Sequence, residues 1–342
     1  MGVAYIFAGK NMPINVGGQA VIEGVMIRSP QRISTAVRRV NGTILVKNDE
    51  YIPFVKRRKS LDIPVLRGAI SFFEMLMLGL KTINFSAEVA AKDVEEEPKE
   101  KKSKGISESK GFFNLTLILT TIFALGLGIL IFFFTPLAIT NLFNIQKSAF
   151  SFNIVAGIIR VIMFLLYIYL ISRFKELRRI FEYHGAEHKS IFAFENGEEL
   201  TIGNARHYST KHPRCGTSFL LIVALFAIFT YSISDTIFGI IAGNPPALWE
   251  RFTIHFMLLP FVAGGSYELL KLSGKTQKHP LTNILIQPGL WLQKITTKEP
   301  DDKMLEVALC ALSHSIGKEF PGSIVFDGHL ESVRVRNESI KD

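Results

Sequence analysis

The chain has 342 residues, with 39 Lys and Arg against 30 Asp and Glu for a net charge of +9, and it is 48% hydrophobic. That length allows two domains, and the apolar residues are gathered into runs too long for the buried helices of a water-soluble core. The basic excess is accounted for by loops beside those runs facing anionic lipid headgroups, and no specific RNA or DNA recognition motif accompanies it.

In chain order, residues 1–30 hold no basic segment followed by an apolar run and a small-residue cleavage site, so no cleavable signal peptide is expected. Residues 1–60 read as a β-rich region. Val16 to Arg28 is punctuated by glycine and rich in β-branched residues, and Asn41-Gly42 between two short apolar runs is a hairpin signal. Residues 64–91 are apolar, but Arg67, Glu74 and Lys81 recur every seven positions. Such a polar stripe suits an interfacial or re-entrant helix, with a fifth membrane span as the alternative. Residues 92–111, with Glu95-Glu96-Glu97-Pro98 and a lysine cluster, suit a flexible linker.

Residues 112–272 form the expected membrane domain. Phe112–Ile139 is uncharged, Ile154–Ile171 holds Arg160, Thr217–Ala242 holds Asp235, and Phe252–Leu272 holds Glu268 and Lys271. Each is close to or longer than the roughly 20 residues that cross a bilayer. Gly126-x-Gly128 and Gly239-x-x-x-Gly243 suggest close helix contacts. Arg160, Asp235 and His255 lie toward one end of these runs rather than at their middle, which makes a transporter the weaker reading. The connections 141–152 and 243–251 carry only Lys147 and Arg251, whereas the termini and the loop 172–216 are rich in Lys and Arg. This bias predicts four transmembrane helices with both termini and the loop in the cytoplasm. The tail 273–342 includes an interface anchor at Trp291 and an amphipathic helix over Met304–Ile316. The expected fold class is an α-helical membrane protein with four transmembrane helices, an interfacial helix and a small cytoplasmic β-rich amino-terminal region.

The chemistry gathers in two places. Glu182 to Lys189 holds His184 and His188 four apart, one face of a helix, with Glu187 beside the second. His184-x-x-Glu187-His188 matches the inverted zinc-protease pattern, in which the histidines bind metal and the glutamate acts as base. Gly185 inside the motif weakens a helix by about 1 kcal/mol relative to alanine. The second cluster is Lys211 to Ser218, with His212 and Cys215 as zinc-type ligands. A two-span hairpin brings both clusters to one membrane face. His184, His188, His212 and Cys215 would close a structural site. The two histidines with one carboxylate (Glu23, Glu182 or Glu195) would leave a catalytic position open for Glu187 to serve. Arg28, Arg206 and Arg214 can hold an anionic group such as a lipid phosphate. Cys310 reads as a packed apolar residue.

Gly17 to Arg28, Glu182 to Lys189 and His212 to Ser218 together resemble the YqhQ-like family of bacterial polytopic membrane proteins. The resemblance covers roughly residues 14–320. It implies a bacterial cytoplasmic membrane and the label of a predicted metal-dependent enzyme, without a substrate. A membrane-embedded hydrolase using a divalent metal, zinc for choice, is the first expectation. The alternative is a non-enzymatic scaffold or biogenesis factor that binds membrane-protein partners through its β-region and basic loops.

Overall fold

The computed structural model describes residues 15–96, 110–143, 148–213, 215–275 and 280–326. Arg214, most of the expected linker and the far ends of both termini lie outside the described residues.

Four strands open the described chain: β1 (Gly17–Val21), β2 (Gly24–Arg28), β3 (Arg32–Arg38) and β4 (Ile44–Glu50), each antiparallel to the next. Gly42, at φ +88°, takes the left-handed turn position between β3 and β4 that the Asn41-Gly42 pair announces. A fifth strand, β5 (Ser323–Val325), returns from near the other end of the chain and pairs parallel to β4. Alternate residues of a strand point to opposite faces. Val25, Ile27, Ala36, Ile44 and Val46 therefore form one core, and Val21, Val37 and Leu45 belong to another.

What covers those faces comes from distant sequence. After the short α1 (Phe54–Arg57), α2 (Leu66–Glu96) runs for 31 residues. Its carboxyl-terminal half lays Phe85 and Val89 on Val21, Val37 and Leu45. Asp93, in the segment expected as linker, is buried and accepts from Arg39 Nε at 2.7 Å, tying the helix to the β3–β4 turn. The polar stripe also behaves differently from expectation. Arg67 pairs with Glu268 (Nε–Oε1 2.6 Å), Glu74 accepts from the Phe54 amide (3.0 Å), and Lys81 reaches Asp49 (3.5 Å). The stripe meets protein, while Phe72, Phe73, Leu76, Met77 and Leu80 face outward. A helix with its apolar side exposed in this way is suited to a lipid surface.

The membrane-length helices follow. They are α3 (Lys110–Ile129), a π-helical turn over Leu130–Phe134, α4 (Thr135–Leu142) and α5 (Ala149–Ile171). Beyond α6 (Lys175–Glu195) and α7 (Ile202–Arg206) come α8 (Gly216–Ala242), α9 (Leu248–Met257), α10 (Leu259–Lys275) and α11 (Pro280–Thr296). The buried α12 (Asp302–Ser315) precedes β5. The π turn has a local cause. Pro136 has no N–H for the carbonyl of Phe132 four residues back, and Arg160 Nε of α5 supplies a donor at 3.1 Å instead.

Among the described residues, three helical stretches are long and apolar enough to cross a membrane: Ile122–Leu142, Ala149–Ile171 and Ile222–Ala242. The expected fourth, Phe252–Leu272, is divided at Leu258 between α9 and α10, where Pro260 again removes a helical donor. Close helix contacts form at other glycines than expected. Gly126 and Gly128 meet nothing within 4 Å, and Gly243 caps α8 at φ +76°. Gly157 instead lies against Ile228, Gly265 against Phe226, and Gly68 against Gly264, where an added Cβ would stand 2.6 Å from a backbone oxygen. Inside the helices Asp235 is buried with Asn153, Arg251 and His255. Its Oδ2 accepts from Asn153 (2.9 Å), its Oδ1 meets His255 Nε2 (2.9 Å), and Arg251 Nε makes an ion-pair contact at 3.2 Å.

α12 is no surface helix of a tail. Met304 to Ser315 is buried except Glu306, packed between the sheet and α6. Trp291 on α11 is exposed, in keeping with an interface anchor.

Candidate metal centre

α6 carries the motif as one unbroken helix through Gly185, and tertiary contact explains the glycine. A Cβ there would stand 2.0 Å from the carbonyl oxygen of Lys298. The segment 296–298 crosses α6 at this point, with the Lys298 amide bonded to the Phe181 carbonyl at 2.9 Å. That close crossing delivers the Thr296 carbonyl to His184 Nδ1 at 2.9 Å. One turn on, the Thr210 carbonyl meets His188 Nδ1 at 2.5 Å. A carbonyl only accepts, so both imidazoles carry their proton on Nδ1 and offer Nε2 as a lone pair.

Cys215 precedes α8 and completes the group. Ligand atoms of His184, His188 and Cys215 all lie within 4.8 Å of one another, with His184 Nε2 3.2 Å from Cys215 Sγ. His188 is 1% exposed, and its Nε2 makes no hydrogen bond among the described residues. A buried polar atom left in this state is costly unless something else meets it. Two imidazoles fixed by backbone acceptors, a thiol and an orphaned nitrogen fit a zinc-type cation.

His212 stands beside this group, its ring 5.7 Å from that of His188, but its Nε2 is 3.3 Å from Glu195 Oε2. Gln293 of α11 fixes its backbone from both sides, accepting from the His212 amide (2.8 Å) and donating to its carbonyl (3.0 Å). Burial pushes both His188 and His212 below the usual imidazole value; the Cys215 thiol opposes this at His188 and Glu187 opposes it at His212.

Glu187 projects from the next helical position toward β1. It is buried, and burial raises its pKa above the ordinary carboxylate value, against the pull of His184, His212 and the Gly18 amide. Gly18 permits that approach, since a Cβ there would lie 3.0 Å from Glu187 Oε1. A cavity of about 300 Å³ opens at this place, lined by Gly17, Gly18, Arg28, Met75, Glu187, His188, His212, Cys215 and Gly216 among others. A carboxyl group whose burial raises its pKa, placed beside cation ligands, is suited to proton transfer.

The remaining sequence candidates have other duties. Glu23, at φ +51° in the β1–β2 turn, is held by Arg179 (Nε–Oε1 2.6 Å) and approached by the Tyr183 hydroxyl at 3.3 Å. Glu182 pairs with Arg178 at 3.2 Å, and Arg206 with Asp302. Arg28 does line the cavity. Sequence reasoning missed the carbonyls of Thr210 and Thr296, the Gln293 clamp and the buried Lys189, which bonds the Arg206 carbonyl (2.9 Å) and Glu299. Main-chain carbonyls leave no trace in residue types, whereas a lysine next to the motif's last histidine was a readable signal.

A sheet and helices long and apolar enough to cross a membrane, with a His/Cys cluster beside the sheet, mark a mostly helical protein with a candidate metal centre. The chain belongs to the family described as Protein of unknown function (DUF1385), whose model matches residues 63–318. It is 35% identical over 315 residues to the Uncharacterized protein YqhQ of Bacillus subtilis (strain 168), covering 87% of this chain and 91% of that relative. No solved structure matches it.

Proposed function

We propose that this protein is a metal-dependent hydrolase of the bacterial cytoplasmic membrane, with its centre at the cytoplasmic face. One observation carries the reading: two Nδ1-anchored imidazoles and a thiol converge beside a cavity, with a buried Nε2 unpaired. His184, His188 and Cys215 would hold the cation, and a three-ligand set would leave a fourth position for water. A bound zinc would supply Lewis acidity there. Glu187 would move a proton between the cavity and its own carboxyl, and Glu195 would orient His212 as a second polar group. The Lys and Arg bias of the loops supports cytoplasmic termini, with α9 and α10 together as a fourth, broken crossing.

The second reading is a non-enzymatic scaffold with a structural metal, favoured by the nearness of His212 to His188. Elemental analysis of the purified, detergent-solubilised full chain separates the two. Zinc near one per chain is expected in the wild type, His212→Ala and Glu187→Gln, with loss in His188→Ala and Cys215→Ser. Loss of zinc in His212→Ala would favour the closed structural site. Absence of metal from wild-type protein purified under reducing conditions with zinc supplied would sink both metal sites and leave a scaffold without metal.

A further inference from the structure

We propose that the cavity receives the phosphate group of an amphiphile, with Arg28 as its anchoring cation and the apolar chain lying along the Phe72 face of α2. This rests on the preceding reading only in sharing the cavity, and it names a substrate class for that site.

Arg28 ends β2 and lines the cavity. Among the described residues it has no carboxylate partner. Its Nη1 donates to Met75 Sδ at 2.6 Å, and its Cζ lies 4.9 Å from the centre of the Tyr51 ring. A thioether is a weak acceptor, and a ring face leaves the guanidinium edge open, so the planar fork that pairs with phosphate stays available. Gly216, which also lines the cavity, is the first residue of the 27-residue α8, which begins without a side-chain cap hydrogen bond. Helix starts present unpaired N–H groups to anions. Gly17 and Gly18 also line the cavity, so backbone rather than side chains bounds the space there.

The chain part of the ligand follows from size and from α2. A volume of about 300 Å³ holds a headgroup and no more of a lipid. Met75 forms the α2 wall, with Gly79 four positions on and Phe72 three positions back on the same face. Gly79 is closed against Gln19, while Phe72 is 37% exposed and its neighbours Phe73 and Leu76 are more so. An apolar track therefore leaves the cavity toward the end of α2 that packs on α10. A phosphate, with three terminal oxygens, can engage Arg28 and the α8 start together, which a carboxylate's two oxygens do less well.

The test is calorimetric titration of the full chain in a neutral detergent with three probes: dihexanoyl phosphatidic acid, inorganic phosphate and dihexanoyl phosphatidylcholine. Phosphatidic acid is expected to bind best. Arg28→Gln should weaken it by at least about tenfold, with Arg28→Lys between and melting temperature and zinc content kept. Phe72→Ser should weaken phosphatidic acid and leave inorganic phosphate unchanged. Equal binding by wild type and Arg28→Gln, or phosphatidylcholine binding as tightly as phosphatidic acid, overturns the proposal. Inorganic phosphate binding as tightly as phosphatidic acid, with Phe72→Ser silent, overturns the amphiphile and leaves a free-phosphate site. Arg28-dependent binding by a protein that holds no zinc would uphold this proposal while the metal reading fell.

Discussion

His188 and His255 are equally buried, at 1% and 0% exposure, and each leaves one ring nitrogen without a hydrogen bond among the described residues. Their neighbours differ. His188 Nδ1 is taken by a main-chain carbonyl, and its Nε2 meets a second imidazole and a thiol at the edge of a cavity. His255 gives Nε2 to Asp235, stacks on Tyr231 at 4.0 Å, and shares the carboxylate with Asn153 and Arg251. The first arrangement gathers lone pairs; the second gathers opposite charges. Burial of a histidine therefore says little by itself about metal binding, and convergence of ligand atoms says more.

Substitutions can break this contrast. Asp235→Ala leaves Arg251 a buried cation without its counter-charge and should cost about 3–5 kcal/mol, seen as a large fall in melting temperature or failure to yield monodisperse protein. A melting temperature unchanged by Asp235→Ala would show that the charge cluster does not hold the helices together. Gly185→Ala forces α6 away from Lys298 and should cost about 1–3 kcal/mol by overpacking. Because the same crossing orients His184, bound zinc should fall as well. Retention of zinc in that variant would mean that the Thr296 carbonyl does not set the imidazole.

A third histidine sharpens the comparison. His314 Nε2 is 3.0 Å from Ser323 Oγ, whose hydroxyl donates to the Phe320 carbonyl, so the ring nitrogen donates and carries the proton. Its Nδ1 faces the Asn48 amide nitrogen at 3.4 Å, an orientation fixed by the Ser34 hydroxyl on Asn48 Oδ1 at 2.6 Å. The neutral ring thus satisfies the site and the charged ring does not. Burial holds its pKa below 6.5, opposed by Glu319 and assisted by Arg32. The unfolded chain then binds a proton that the fold refuses, so this contribution is complete above that value and lost as pH falls through it. Melting temperatures between about pH 7.5 and 5.5 should fall less steeply in His314→Gln than in the wild type. An identical slope would remove His314 from the account. The smallest effect is expected at Glu23: Arg179→Ala breaks a half-exposed pair and should cost under about 1 kcal/mol, with zinc content untouched. Loss of zinc there would show that the turn bears on the centre.

Long apolar runs, the Asn41-Gly42 turn and the spacing of His184 and His188 were legible because each is a local pattern set by chain geometry. Convergence of Cys215 with the two histidines was legible only as a possibility, since the residues stand 27 apart from the nearer one, and a helical hairpin had to fold to join them. The division of Phe252–Leu272 had a local sign in Pro260, and hydropathy alone hid it. The direction of the α2 stripe did not show, because seven-residue spacing gives a shared face without saying whether water, lipid or protein lies opposite.

The sequence by itself determined three helical runs of membrane length, where β3 and β4 turn, and which residue types could hold a cation, because these depend on residue type and period. Tertiary structure decided the rest: that β5 and α12 return to complete the sheet, that Gly185 is a crossing point, and that Glu187 faces Gly18 in a cavity. Those outcomes rest on contacts between residues far apart in the chain and on main-chain carbonyls, neither of which residue identity encodes locally.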